Sequence, residues 1–378
     1  MAHRRAAPAP LNLACYLALR RHDISDLQKA LSRLGLSPLD ALQREQVGFF
    51  GHDVIGARTR IMAARGARRS RGWGDGRGRS TLAGMTTPTL LTEPVPPYGA
   101  VLTVHPRIRR VVARNPGPMT CHGTSSWIVG HGKVAVIDPG PDDPAHRRAL
   151  IEAVAGETVT HVIVTHGHHD HSAGAMAFAA ATGARSWGFG RPDAARTVSV
   201  GAGHPPFLPD EPLAEGSVLE GPEWRLVAIH TPGHASDHLC FSLAGEGILF
   251  SGDHVMGWAT SMVSPPDGDM AAYMASLERL LGRDEAMYLP GHGPAITTPQ
   301  AHVAALLAHR RAREAAVLAA VRAGHGRAEA IVPHLYPGLA EPLVRPASRS
   351  VLAHLLKLAA EGTIVADQPG GETFRSAN

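Results

Sequence analysis

Cysteine is scarce in this chain of 378 residues: Cys15, Cys121 and Cys240 form no CxxC pair and no even framework. That excludes a disulfide-stapled scaffold and a thiolate zinc finger, and it suits a reducing cytoplasm. Long apolar runs are missing as well. None reaches the roughly 18 residues of a membrane span, and Leu11 to Leu19, broken by Asn12 and closed by Arg20-Arg21, is short for a secretion signal. The expectation is a cytoplasmic protein with no membrane partner. Aromatic residues make up only 5% of the chain, and 44% hydrophobic with 19% charged residues is ordinary for a globular protein.

An overall charge of +4 suggests a basic protein, but the charge is unevenly spread. Residues 1–84 hold fifteen Lys and Arg against six Asp and Glu; the remainder holds twenty-two against twenty-seven. The body is therefore mildly acidic, and overall charge does not argue for nucleic-acid binding by it. Within 1–84, Ile24 to Gln46 has helical spacing, whereas Arg65 to Arg79 is Arg/Gly-rich around Trp73 and cannot bury enough apolar surface to order itself. Residues 1–84 are read as a basic extension, a partly disordered linker or an upstream-start artefact before Met85; an RNA-binding arm is the less favoured reading.

Histidine is abundant, with 23 copies. In Val162-Ile163-Val164-Thr165-His166-Gly167-His168-His169-Asp170-His171-Ser172, a buried-strand pattern empties into four imidazoles and a carboxylate. Desolvating so many polar rings is costly unless something binds them, and a metal does. His166 and His168 alternate along an extended strand end and can face one ion. Asp170 and His171, where the chain turns, can face a second. Later predicted strands deliver His234 in His230-Thr231-Pro232-Gly233-His234, Asp253 in Ser251-Gly252-Asp253-His254, and His292 between Gly291 and Gly293. His234 is the third ligand candidate for the first ion, His292 for the second, and Asp253 can bridge. Seven ligands suit two metals about 3.5–4 Å apart sharing a water. Zinc is expected for this N/O set, two ions per chain, with iron or manganese as alternatives.

The run Thr165 to Gly174, with His234, Asp253 and His292 following in order, resembles the signature of the metallo-β-lactamase superfamily. Asn115-Pro116-Gly117-Pro118-Met119-Thr120, Thr231 to His238 and Ser251 to Trp258 are similar to the beta-lactamase-like protein 2 subgroup. The resemblance covers roughly residues 95–378. It implies an α/β fold, an αββα sandwich with two metals at one sheet edge, and a C-terminal winged helix. It places Asp138, a strand-end acid, behind the ligands, and puts Asp253 where dizinc β-lactamases carry cysteine, which disfavours antibiotic hydrolysis. His238 and His254, with His230 and His204, are candidates for holding ligand imidazoles; His122 and Thr124 for lining the cleft; His169 occupies a variable position; His302, His309, His325, His334 and His354 read as surface or packing.

The expected organisation is an extension over 1–84, a catalytic domain over 95–298 and a winged-helix domain over 299–378. Within the catalytic part, Gly188 to Glu215 reads as loop, with Gly201 to Pro206 as a flap, and Ser172 to Ala181 as one helix. The last piece shows helices over Pro299–Ala323, Ala328–Tyr336 and Arg345–Glu361, then a hairpin. Arg345, Arg349 and Lys357 give it a thin basic footprint, so packing against the cleft is favoured over a nucleic-acid platform. The expected function is a dizinc metallohydrolase using a metal-bridging hydroxide, with Asp170 both ligand and proton acceptor. In the subgroup's manner it would cleave single-stranded RNA. The alternatives are a glyoxalase-II-like thioesterase acting on acyl-glutathione or acyl-CoA, a simpler ester, and a non-catalytic nucleic-acid-binding protein. A homo-oligomer is left open.

Overall fold

The computed structural model describes residues 88–190, 207–368 and 370–377. The readings made for residues 1–84, for the Gly201–Pro206 flap and for His204 lie outside the described residues. Two sheets form the centre. The first runs β1 (Leu102–His105), β2 (Ile108–Val112), β3 (Ser125–Val129), β4 (Lys133–Ile137), β5 (Thr158–Ile163), β6 (Arg185–Phe189) and β7 (Glu211–Leu213) in that spatial order, antiparallel as far as β4 and parallel beyond. The second runs β12 (Met287–Pro290), β11 (Ile248–Gly252), β10 (Leu239–Leu243), β9 (Arg225–His230) and β8 (Val218–Glu220).

Period-two alternation sorts their side chains into layers. Trp127, Ile137, Ile163, Leu226, Phe241, Phe250 and Leu289 point between the sheets and make one core. Val134, Val136 and Val162, on the other face of the first sheet, pack on Leu150 of α1 (Pro144–Ala153) and Phe178 of α3 (Ala175–Thr182). On the far face of the second sheet, Ile229, Cys240, Leu249 and Tyr288 meet Tyr273 and Leu277 of α4 (Met270–Leu281), and Val303 and Leu306 of α5 (Pro299–Arg322). This is an αββα sandwich, as expected. Burial pushes the Cys240 thiol up to about 12, so it serves as a small apolar side chain.

The connecting helices start where their caps dictate. Asp143 accepts from the Ala145 N–H with Pro144 in the first turn, and Asp269 accepts from the Ala272 N–H. Three expectations need correction. The expected Gly188–Glu215 loop holds the end of β6 and all of β7, strands too short and too Gly- and Pro-containing to show a period. The single helix expected over Ser172–Ala181 is two, α2 (His169–Ser172) and α3, separated at Gly174. The Gly174 N–H donates to the Gly140 carbonyl at 3.0 Å, and a Cβ there would lie 2.9 Å from the Pro141 oxygen, so the break lets two backbones touch.

After α5 come α6 (Ala328–Leu335), α7 (Glu341–Ala360) and the hairpin β13 (Ile364–Ala366) with β14 (Phe374–Ser376). Here α7 starts before the expected Arg345, because Pro346 in its second turn removes a single backbone bond without ending the helix. Among the described residues no helix is long and apolar enough to cross a membrane.

Two outcomes test this architecture. Phe241→Ala, emptying a fully buried position between the sheets, is expected to cost about 3–5 kcal/mol with an unchanged denaturant slope, measured by urea unfolding. His146 is buried beneath β3, bonded to the Ser126 hydroxyl at 2.8 Å, and burial lowers its pKa to about 4. The unfolded chain therefore takes up a proton near pH 6.5 that the folded chain refuses. His146 thus contributes stability that is fully present above that pH and is lost, by up to about 3 kcal/mol, as pH falls from 6.5 towards 4. In the metal-stripped protein the stability difference between wild type and His146→Gln should shrink by that amount across this window, measured by urea unfolding.

Candidate metal centre

All the chemistry-bearing loops leave the sandwich at one edge. β4 ends at Asp138, β5 at the Thr165–His171 run, β9 leads to His234, β11 to Asp253 and β12 to His292. The two sheets are joined there: Ser125 N–H donates to the Gly291 carbonyl at 2.8 Å, and Thr124 bridges His292. Gly291 is required by proximity, since a Cβ would sit 2.6 Å from the His171 ring and 2.7 Å from the Asp253 carboxylate.

The seven residues read from the sequence come together in two groups. His166, His168 and His234 have ligand atoms within 4.8 Å of one another, and so do Asp170, His171 and His292. His168 Nδ1 lies 2.9 Å from His166 Nε2 and 3.0 Å from His234 Nε2. His171 Nε2 and His292 Nε2 are 3.2 Å apart, and Asp170 Oδ2 is 3.1 Å from His292 Nε2. Asp253 sits between the groups, its oxygens 3.5 Å from His171, 3.5 Å from His292 and 3.7 Å from His234.

Several features show that this donor set fits bound cations. Three imidazole nitrogens of the first group aim at one point, where a single proton could satisfy only one pair. The outward nitrogens are already used: His234 Nδ1 donates to the Met262 carbonyl at 2.6 Å, His171 Nδ1 to Asp138 at 2.9 Å and His292 Nδ1 to the Gly123 carbonyl at 3.3 Å. That leaves each Nε2 lone pair facing inward. The buried Asp253 Oδ1 finds no hydrogen-bond donor among the described residues.

Charge tells the same story. Burial, reinforced by neighbouring imidazoles, holds His166 well below the usual histidine range and His168 at about 3, so both are neutral ligands at pH 7. Burial would also depress His171 and His292, but the facing carboxylates outweigh it. His171 rises well above its ordinary value and His292 to about 9. Asp253 and Asp170 are held low by those same imidazoles against the opposing effect of burial. The facing carboxylates thus favour positive charge at the second group.

Around this cluster, Asp138 accepts from the Thr165 N–H (2.7 Å), the Thr165 hydroxyl (2.8 Å) and His171. His238 accepts at Nε2 from the Asp253 N–H at 3.1 Å, and its Nδ1 meets the Thr231 hydroxyl at 2.9 Å. His254 is different from expectation: its ring nitrogens meet no partner among the described residues, the ring packing near His238 and Tyr273, so it orients no ligand imidazole. Its carbonyl instead accepts from Ser261 and Tyr273. His230 stacks on Phe189 and His122 bonds the Glu93 carbonyl, while Thr124 bonds Asn115 through its hydroxyl and bridges His292 through its backbone. His302, His309 and His354 are buried in packing. Sequence reading missed Thr165 and Thr231, whose strand-end placement was the available signal. It also missed the Met262 and Gly123 carbonyls, for which no signal exists. Asp237, which accepts from the Gly167 N–H at 2.8 Å, was missed too; burial and then Asp267 push it up to about 7.

Comparison with known proteins agrees with this picture. Residues 119–292 match the Metallo-beta-lactamase superfamily, and residues 328–371 the Beta-lactamase associated winged helix domain. The Beta-lactamase-like protein 2 homolog of Drosophila melanogaster is 32% identical over 288 residues, 73% of this chain and 95% of its own length. An Atrochrysone carboxyl ACP thioesterase of Cryptosporiopsis sp. is 31% identical over 234 residues; the match takes in 60% of this chain and 66% of that protein, just under two thirds. Among solved structures, a metallo-beta-lactamase family protein of Thermus thermophilus superposes with a TM-score of 0.60 at 26% identity, over 72% of this chain and all of the other. A beta-lactamase domain protein of Burkholderia ambifaria shares the fold, with a TM-score of 0.63 at 24% identity over 75% and 96% of the two chains.

Asp138→Asn keeps an acceptor for one donor and loses the charge facing His171. It is expected to weaken metal retention about 10–100-fold in chelator competition, with far-ultraviolet circular dichroism unchanged.

Proposed function

Because the chain belongs to the metallo-beta-lactamase superfamily and is a metal-dependent hydrolase, we propose that it holds two zinc ions on His166, His168, His234, Asp170, His171, Asp253 and His292 and hydrolyses a thioester. Neutral imidazoles with carboxylates are a zinc-type donor set. The observation that carries the substrate class lies in the C-terminal helices. Of the three basic residues an RNA backbone would need on α7, Arg349 donates to Ser264 at 3.1 Å, and Lys357 is bound by Glu314 and Glu361, each at 2.8 Å. Arg345 alone remains exposed. With a mildly acidic body, this leaves little to attract a polyanion. The relatives named as carboxyl ACP thioesterases support the same reading.

When bound, paired metals acidify a water and polarise the centre it attacks. The chain's own residues do the rest. His166 and His168, kept neutral by burial, offer lone pairs without first losing protons, and His234, whose Nδ1 donates to the Met262 carbonyl, turns its Nε2 towards them. Asp138 fixes the ring of His171. Of the carboxylates at the centre, Asp170 is the one solvent reaches, with 30% of its side chain exposed against 8% for Asp253 and 1% for Asp138. Asp170 is therefore placed to receive the proton of the attacking water at its carboxylate. Addition of water to the acyl carbon and cleavage of the C–S bond would give a carboxylic acid and a thiol, the thiolate taking up the remaining proton.

Side-by-side assays on acyl-CoA, acyl-glutathione, an acyl-carrier thioester and a single-stranded RNA test this. Thioester turnover without RNA cleavage is expected, and the reverse result would move the assignment to a phosphodiesterase. Asp170→Ala and His168→Ala should each cut turnover on the order of a thousandfold or more. Near-native turnover by metal-replete mutants would count against these roles, and elemental analysis should return two metals per chain.

A further inference from the structure

The Met262 carbonyl that fixes His234 belongs to a loop, and what holds that loop lies outside the sandwich. Ser261 donates from its hydroxyl to the His254 carbonyl at 3.0 Å, and its own carbonyl accepts from the Arg310 guanidinium of α5. At the loop's far end, the Ser264 hydroxyl accepts from Arg349 of α7. Arg310 is 5% exposed and lies over the Tyr273 ring, 5.3 Å from its centroid. The Tyr273 hydroxyl in turn donates to the His254 carbonyl at 3.1 Å. Among the described residues Arg310 forms no ion pair, and its Nε has no hydrogen-bond partner. A guanidinium so deeply buried without a carboxylate is costly to keep. Were packing its whole role, an apolar side chain of similar length would serve better. Its evident use is a charge-assisted bond to one backbone oxygen, and that oxygen is one residue from the carbonyl on which His234 hangs.

We infer that Arg310 is a positioning residue of the metal centre. It holds the Ser261–Met262 backbone so that the Met262 carbonyl keeps His234 Nδ1 as a donor and turns His234 Nε2 towards His168 and Asp253. Arg310 thereby reaches the first metal group through this loop, and among the described residues His171 and His292 share no hydrogen bond with the C-terminal helices. The effect is asymmetric by construction, because His171 and His292 take their outer bonds from Asp138 and Gly123 instead. This rests on the reading of His234 as a metal ligand.

The test measures metal binding, independent of any substrate. Metal-stripped wild type, Arg310→Gln, Arg310→Lys and, as a control, Arg311→Gln, whose side chain pairs with Glu278 at the surface, are titrated with zinc against a chromophoric chelator. Thermal unfolding of the stripped proteins runs in parallel. In Arg310→Gln, one of two affinities should fall about 10–100-fold while the other holds. Arg310→Lys, keeping the charge but not the planar fork, should fall less, and Arg311→Gln should match wild type. In a His234→Ala background, Arg310→Gln should add nothing further. The inference is overturned if Arg310→Gln binds both ions as wild type does, if both affinities fall together, or if the loss persists without His234. Should Arg310→Gln fail to fold, the one-site loss in Arg310→Lys decides alone. A wild type binding fewer than two ions would instead bring down the ligand assignment and this inference with it.

Discussion

One buried carboxylate governs the metal centre. Asp138, 1% exposed, takes hydrogen bonds from the Thr165 N–H, the Thr165 hydroxyl and His171 Nδ1. Because the Thr165 hydroxyl gives its proton to Asp138, it must accept from His166 Nδ1, 3.0 Å away. A single charge thus sets the tautomers of His166 and His171, one from each ligand group. Asp138 holds this position with φ at 51°, a left-handed conformation that aspartate tolerates better than most residues. The backbone strain is local, and three hydrogen bonds offset it.

From that point the rest of the architecture follows as a problem of bringing two sheets to one edge. Neither sheet carries a complete group. The first supplies His166, His168, Asp170 and His171; the second supplies His234, Asp253 and His292. Their relative placement depends on the core between them, where Trp127 faces Phe250 at 6.0 Å, and on the contact of Ser125 with Gly291. Arg110 adds a tie at the same edge. Its buried guanidinium bonds Glu93 through both nitrogens at 2.8 and 2.9 Å, and reaches the Gly293 carbonyl at 3.0 Å, beside His292. Close packing makes such a junction stiff, so ligand distances are set by the sandwich as a whole and not by any one loop.

Much of this was legible in the sequence for a definite reason. Strands such as Val134–Ile137 and Leu239–Leu243 alternate or run apolar to a sharp stop, and ligands at those stops must share an edge when the strands share a sheet. What stayed hidden has no side-chain alphabet. The Met262 and Gly123 carbonyls are backbone, and any residue could provide them. The strand β6 contains Gly188 and only five residues, too few to show a period. The position of His254, adjacent to a ligand, suggested a supporting imidazole, but the strand end directs its ring towards Tyr273 and leaves His238 to bond the Asp253 backbone. Adjacency in sequence fixes neither direction nor partner.

The helices after residue 298 are the clearest case of a boundary visible in composition but not in energy. Val303, Leu306 and Leu307 of α5 and Ala353 of α7 share one core with Ile229, Leu249 and Tyr288 of the second sheet. Burying those side chains stabilises both parts at about 25 cal/mol per Å² of apolar surface, so neither part presents a finished surface to water without the other. The polar groups obey the same logic. Arg310 and Arg349 bond the 261–264 loop, and Glu314 binds Lys357 within the helical layer. Of the basic side chains of α7, Arg349 is turned towards the sandwich, Lys357 is paired within the helical layer and Arg345 is exposed. The C-terminal helices are thus held to the sandwich by an apolar core on one side and, on the other, by Arg310 on the Ser261 carbonyl and Arg349 on the Ser264 hydroxyl of the metal-site loop.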